Sequence, residues 1–303
     1  EHVKLNEIDV QVVKEIGTGA NLFDNGDLDY TVLADTYALQ YKESKQAHFV
    51  PKAMVGYLSP NHRREITGNE HVRKAFLQAI DKETFAKEIL GDGSTALNGF
   101  VPANFAKNPD TGEDFRKENG DLLPYNIKEA QANWTKAKEE LGKDKIELEL
   151  ISADSAIAKK TIEFVQGQLQ QNLPGLTIKL KSLPLQNRLD LQTAGNYDLA
   201  FGTWTPDYAD PINFLEFYDS KSGLNTSGYN DSAYDAGLQK VRKDYANEPE
   251  KRWNELLSLE KTLIEKDAGV LPLFQGAIGY LKSDRLQGLQ VFSFGRTVSY
   301  RLA

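Results

Sequence analysis

An α/β fold is predicted for this chain, and three observations predict it. Between residues 145 and 204 the apolar residues switch repeatedly between a spacing of two and a spacing near 3.6. The joints between those segments are short, as crossover helices between strands of one sheet require. Over 303 positions, 40% apolar and 26% charged residues form a composition able to bury a core of ordinary size.

The elements follow in order. Val3, Leu5, Ile8, Val10 and Val12 alternate as a strand over 3–14, with a slip of register near Glu7. Thr18–Asp24 reads as a short helix, closed by the Asn25-Gly26 turn. Tyr30–Leu33 and Lys52–Leu58 read as strands. Val72, Ala75, Phe76, Ala79 and Ile80 sit on one face of a helix over Glu70–Leu90, with Asp81 as an internal cap and Gly91 as its stop. Gly91–Tyr125 is irregular but carries Phe100, Phe105 and Phe115, too many aromatics for a free linker, and is expected as a surface excursion packed on a domain.

From residue 128 the pattern is regular. Lys128–Leu141, Ala156–Leu173 and Leu185–Thr193 read as helices; Lys145–Ile151, Leu176–Leu183 and Tyr197–Trp204 read as strands. Ser232–Tyr245 and Pro249–Lys266 are helical, the latter with proline in its first turn. Val270–Phe274 and Ile278–Leu281 are expected as two short strands. There is no internal repeat.

Several chemistries are excluded or disfavoured. The chain has no cysteine, which removes disulfides, thiolate metal sites and a cysteine nucleophile. Its net charge of -8 gives no basic footprint for nucleic acid or an anionic membrane. The four histidines, His2, His48, His62 and His71, have no metal-ligand spacing. Neither a metal nor another cofactor is expected. No GxSxG, P-loop or GxGxxG occurs, and the GDGS run at Gly91–Ser94 follows a helix rather than a strand. No apolar stretch approaches the length of a membrane span. The strand-like pattern begins almost at Glu1 without a leader, so an upstream portion is expected.

The segment Gly202–Pro211 (GTWTPDYADP) continues past the end of a predicted strand, where ligands bind in α/β sheets. Trp204 and Tyr208 offer flat apolar area with a polar tip. Asp207 is an anion for which a peptide's free α-amino group is a fitting partner. An equally good reading makes the two aromatics core residues and has Asp207 and Asp210 cap turns around Pro206 and Pro211. A third makes the two aspartates an acid and base between aromatics, as in a glycosidase. Spacing alone leaves all three open.

GTWTPDYADPINFLEFY resembles the W-x-x-D-Y-x-[DE]-P-x-x-F-L motif of the peptide- and nickel-binding family of ABC-transporter solute-binding proteins, oligopeptide-binding members above all. Other marks stand in the same order: Phe23–Asp29 (FDNGDLD), Tyr57–Asn61 (YLSPN), Val72–Asp81 (VRKAFLQAID), Gly195–Trp204 (GNYDLAFGTW) and Val270–Leu273 (VLPL). The resemblance spans essentially the whole chain. It implies a periplasmic-binding-protein-like α/β fold of type II, peptide-binding subclass. The chain would hold a complete lobe II (51–272) and the C-terminal part of lobe I (1–50 and 273–303).

It further implies that Asp207 receives the ligand's terminal amine and that backbone groups of Thr203 and Thr205 pair with the peptide main chain, which tolerates any side-chain sequence. Trp204, Tyr208 and Asp210 would complete the wall. Pro206, just before Asp207, removes one backbone donor. The implied protein is no enzyme. It is an extracytoplasmic, monomeric receptor, lipid-anchored at a Gram-positive cell surface, whose partners are an oligopeptide, ABC permease subunits and the missing N-terminal part of the same protein. A family receptor for another ligand, such as an oligosaccharide stacking on Trp204 and Tyr208, is the alternative; an acid/base hydrolase ranks last.

Overall fold

The computed structural model describes residues 4–295 and 297–302. They form two compact units. The larger comprises Val55–Lys82 and Ala96–Phe274. The smaller comprises the residues up to Met54, Glu83–Thr95 and those from Gln275 onward.

The larger unit carries the predicted crossover pattern. Strands Ile146–Ala153 and Leu176–Leu183 pair in parallel from Ile146↔Leu176 to Ala153↔Leu183. The helix Ala156–Asn172 joins them and buries Ala158, Ile162, Val165 and Leu169. Ser155 starts this helix by accepting from the Ala158 N–H. The next helix, Leu185–Thr193, leads to Leu199–Trp204, which pairs in parallel with Ile146–Ala153 and antiparallel with Ala47–Pro60. The unit's strand order is therefore 271–274, 55–60, 199–204, 146–153, 176–183. Helices Glu70–Ala79 and Ile127–Leu141 bury Phe76 and Trp134, whose rings lie 6.0 Å apart. Trp134 Nε1 donates to the Pro174 carbonyl at 2.8 Å, so the buried indole is satisfied.

The passage from Gly91 to Tyr125 lies deeper than a surface excursion. Phe100, Val101 and Phe115 are wholly buried, and Phe115 opens a short helix to Asn119 capped by Asp114. Phe100 packs edge-on against Tyr57, Phe214 and Tyr218. Helix Glu70–Ala79 ends before Ile80, and a separate turn starts at Lys82.

Lys82 is 2% exposed. Its Nζ donates to Asn98 Oδ1 at 2.7 Å and to the Leu97 carbonyl at 3.3 Å. Burial pushes its pKa down from 10.5 to about 7. The unfolded chain then binds more protons than the folded one between about pH 7 and 10, and stability rises with pH across that window. As the pH falls from 10 to 7 the melting temperature of wild type is therefore expected to fall relative to that of Lys82→Met, because the methionine variant lacks the charge penalty. A pH-independent difference between the two melting curves would contradict this account.

In the smaller unit Tyr30–Leu33 pairs antiparallel with the end of Leu271–Lys282, from Tyr30↔Lys282 to Leu33↔Gly279. Helix Ile16–Asp24 packs Ala20 and Phe23 against Leu33 and Leu281. A two-stranded ribbon, Gln290–Val291 with Val298–Ser299, completes it.

Two expectations are corrected. Residues 4–14 form no strand, and Ile8, Val10 and Val12 are 50%, 76% and 90% exposed. Alternation creates two faces, but a strand also needs a ladder partner, and among the described residues none runs beside this stretch. Val3 lies outside the described residues. Residues 270–281 are not two short strands: Leu271–Lys282 is continuous. Gly276 and Gly279 look like interruptions but permit close contact instead. A Cβ at Gly276 would lie 2.4 Å from Met54 Cε, and one at Gly279 would lie 2.8 Å from the Leu33 carbonyl.

Candidate functional site

Strand Leu199–Trp204 is longer on one side than on the other. Its antiparallel pairing with 55–60 continues to Val55↔Trp204, whereas its parallel pairing with Ile146–Ala153 ends at Ile151↔Ala200. From Phe201 to Trp204 no ladder pairing is formed on that edge among the described residues, although the neighbouring strand runs on to Ala153. The Phe201 carbonyl takes a side-chain hydrogen bond instead, from Arg188 Nη1 at 3.1 Å. Residues two apart in a strand turn their N–H and C=O groups the same way, so Thr203 offers its backbone on that side too. Such an edge suits an added extended chain.

The loop beyond the strand is held from below. Pro206 is buried while Asp207 is exposed. The Asp207 N–H donates to Asn213 Oδ1 at 3.0 Å, and Asn213 is itself 5% exposed. Ile212–Leu215 forms a helical turn with every side chain buried, and Tyr234 Oη donates to the Leu215 carbonyl at 2.8 Å. The buried PINFL run thus fixes the height and direction of the loop.

The predicted site residues fall into distinct roles. Thr203 and Thr205 are exposed. Trp204 is half-buried and packs edge-on against Phe217 at 5.1 Å; its Nε1 is buried without a hydrogen-bond partner. Tyr208 is 42% exposed, with its hydroxyl donating to Glu216. Burial first, and then that carboxylate, push the phenol up to about 12, so it stays protonated. Asp207's carboxylate pairs with no other described side chain.

Asp210 differs from Asp207. Its Oδ1 accepts the Ile212 N–H at 2.9 Å, and its Oδ2 meets Arg252 at 2.9 Å. The turn-capping reading fits Asp210, and both its oxygens are occupied. The two aspartates therefore do not present a matched acid and base.

Sequence reasoning missed four supporting residues. Asn213 and Arg252 fix the loop. Glu216 holds Tyr208 and is itself paired with Arg242 at 3.1 Å. Arg188 reaches the open strand edge. None carries a motif of its own: the partners of Asn213 and Glu216 lie six and eight positions back across an irregular loop, and that of Arg252 lies on another element. The histidines serve packing: His62 Nε2 meets the Gly269 carbonyl at 2.9 Å, His71 pairs with Glu140, and His48 stacks on Tyr280. His2 lies outside the described residues.

The crossover-built α/β sheet has the architecture of the periplasmic-binding-protein-like fold. The chain belongs to the bacterial extracellular solute-binding proteins, family 5, whose middle-region model matches residues 1–226. A dipeptide-binding protein of Lactococcus lactis is 33% identical over 77% of this chain and 44% of its own length. The dipeptide-binding protein DppE of Bacillus subtilis is 28% identical over 95% and 52%. The structure of Listeria monocytogenes OppA bound to peptide superposes with a TM-score of 0.84 at 38% identity, over 99% of this chain and 58% of that one. The substrate-binding domain of an oligopeptide ABC transporter from Bacillus anthracis gives 0.87 at 33% identity, over 99% and 59%. The chain spans about half the length of the curated relatives it matches. Members of this family are extracytoplasmic substrate-binding proteins. No described helix is long and apolar enough to cross a membrane.

Proposed function

We propose that this chain is the amine-binding part of an oligopeptide receptor that serves an ABC importer. The carrying observation is the open edge of Leu199–Trp204 leading to Asp207, whose carboxylate has no partner of its own. Asp207 receives the peptide's α-amino group. The backbone of Thr203 and Thr205 pairs with the peptide main chain, and Trp204 and Tyr208 pack against the ligand. Asp210 contributes by shaping the loop. The larger unit serves as lobe II and the smaller as the C-terminal part of lobe I, with the remainder of lobe I supplied by an N-terminal part of the same protein.

In this reading the receptor is monomeric and non-catalytic. It is held outside the cytoplasm, through a lipid anchor at a Gram-positive surface, and hands its peptide to the permease. Peptide-binding relatives and the occupied state of Asp210 favour this over a hydrolase. Calorimetric titration of the full-length protein with one peptide, free and N-acetylated, tests it. Acetylation removes the cation and is expected to lower affinity by at least about tenfold. Equal affinity for the two forms overturns the assignment of Asp207.

A further inference from the structure

A cavity of about 310 Å³ lies before the start of strand Leu199–Trp204, lined by Arg63, Arg64 and the turn from Thr193 to Asn196. Asn61, which has no exposed surface, holds its walls together. Asn61 Nδ2 donates to the Gly195 and Tyr197 carbonyls at 3.0 and 2.9 Å, its Oδ1 accepts the Arg63 N–H at 3.2 Å, and its carbonyl accepts the Arg64 N–H at 3.1 Å. Both arginines and the turn are thus fixed to one buried residue. Arg63 Nη2 donates to the Thr226 carbonyl at 2.5 Å, and its guanidinium lies against two glycines: a Cβ at Gly228 would be 2.9 Å from Nε, and one at Gly195 would be 3.7 Å from Nη2. Arg64 donates from Nε to the Tyr197 carbonyl at 3.3 Å and from Nη2 to the Gly195 carbonyl at 3.2 Å. A guanidinium has five donors. Among the described residues Arg63 uses one of its five and Arg64 two. Arg63 forms no ion pair there, and Arg64 meets only Asp198, at 3.9 Å with both side chains partly exposed, a pair of little worth.

We infer that this cavity binds a phosphate group, held between Arg63 and Arg64. The tetrahedral oxygens of a phosphate accept forked N–H pairs from two guanidinium groups at once, whereas a planar carboxylate fills one fork. Thr193 and Asn196 add a hydroxyl and an amide to the lining. The net charge of -8 repels anions at long range, so affinity for one comes from this local pair and not from the field of the whole molecule. The inference does not rest on the peptide-binding reading. Six residues of strand, roughly 17 Å of extended chain, separate the cavity from the loop that carries Asp207, so phosphate and peptide bind without competing. The phosphate is that of a free ester or of a lipid headgroup, which present the same oxygens to the two forks.

The test is calorimetric titration of the full-length protein, at constant ionic strength, with glycerol 3-phosphate, inorganic phosphate and acetate, together with sedimentation on phosphatidylcholine vesicles with and without phosphatidylglycerol. Wild type is expected to bind glycerol 3-phosphate saturably and at least about tenfold tighter than acetate, and Arg63→Gln and Arg64→Gln should each weaken that binding about tenfold or more. Arg63→Lys keeps the charge without the fork and should lose most of the preference over acetate, which a mere surface field would retain. Binding to phosphatidylglycerol vesicles that both glutamine variants lose identifies a headgroup, and the comparison between variants cancels any contribution of an anchor. Binding of glycerol 3-phosphate or inorganic phosphate without vesicle binding identifies a free phosphate. The inference is overturned if wild type binds none of these probes, if acetate binds as well as phosphate, if binding survives both glutamine variants, or if a peptide displaces the phosphate. The wild-type comparison needs no variant to fold.

Discussion

Glu260→Ala is expected to destabilise the larger unit by about 3–5 kcal/mol, the cost of removing one member of a buried ion pair. Glu260 is wholly buried, and its carboxylate ties together three segments. Oε1 accepts from the Phe100 and Val101 N–H groups at 2.7 and 2.8 Å and from Arg116 Nη1 at 2.7 Å; Oε2 accepts from Asn119 Nδ2 at 2.6 Å. Alanine strands two backbone donors and a guanidinium only 9% exposed. Arg116 retains only carbonyl acceptors, chiefly Gly120 at 2.7 and 3.1 Å. An apolar pair in place of both ions often recovers stability, but here the N–H groups of Phe100 and Val101 would remain unpaired. Arg116→Met with Glu260→Met is therefore expected to stay clearly less stable than wild type. Urea unfolding followed by tryptophan fluorescence measures this, since Trp253 packs on Phe115 at 5.1 Å within the same region. A loss below about 1 kcal/mol for Glu260→Ala would show that water or rearranged side chains satisfy those donors.

That network also marks where sequence reasoning stops. The strands and helices from 145 to 204 were legible because each buries one face at its own period, and period is a local property. Ile146, Leu148 and Leu150 alternate inward, and all three are buried. The passage from 91 to 125 has no period. Its place in the core depends on Glu260, some 160 positions away, accepting from two of its N–H groups. Ile8, Val10 and Val12 show the opposite failure, since a clear period there lacks a partner strand. At the site, the loop's chemistry could be read from Trp204, Asp207 and Tyr208. What separates Asp207 from Asp210 could not. Arg252, 42 positions on, neutralises one aspartate and leaves the other free.

The freedom of Asp207 makes its replacement a clean experiment. The carboxylate supports no other described side chain, so Asp207→Asn should change the unfolding free energy of unliganded protein by no more than about 0.5 kcal/mol. Peptide affinity should fall about ten- to a hundredfold, the worth of a charge-assisted hydrogen bond. The same substitution at Asp210 should instead lower the stability of the unliganded protein, because the amide loses the ion pair with Arg252 although its Oδ1 can still accept the Ile212 N–H. Combining Asp207→Asn with an N-acetylated peptide closes a cycle. If carboxylate and amine meet, the two losses share one interaction, and the double change should cost little more than either alone. Additive losses would mean that the amine is read elsewhere and that Asp207 acts only through its field, an effect that added salt would screen.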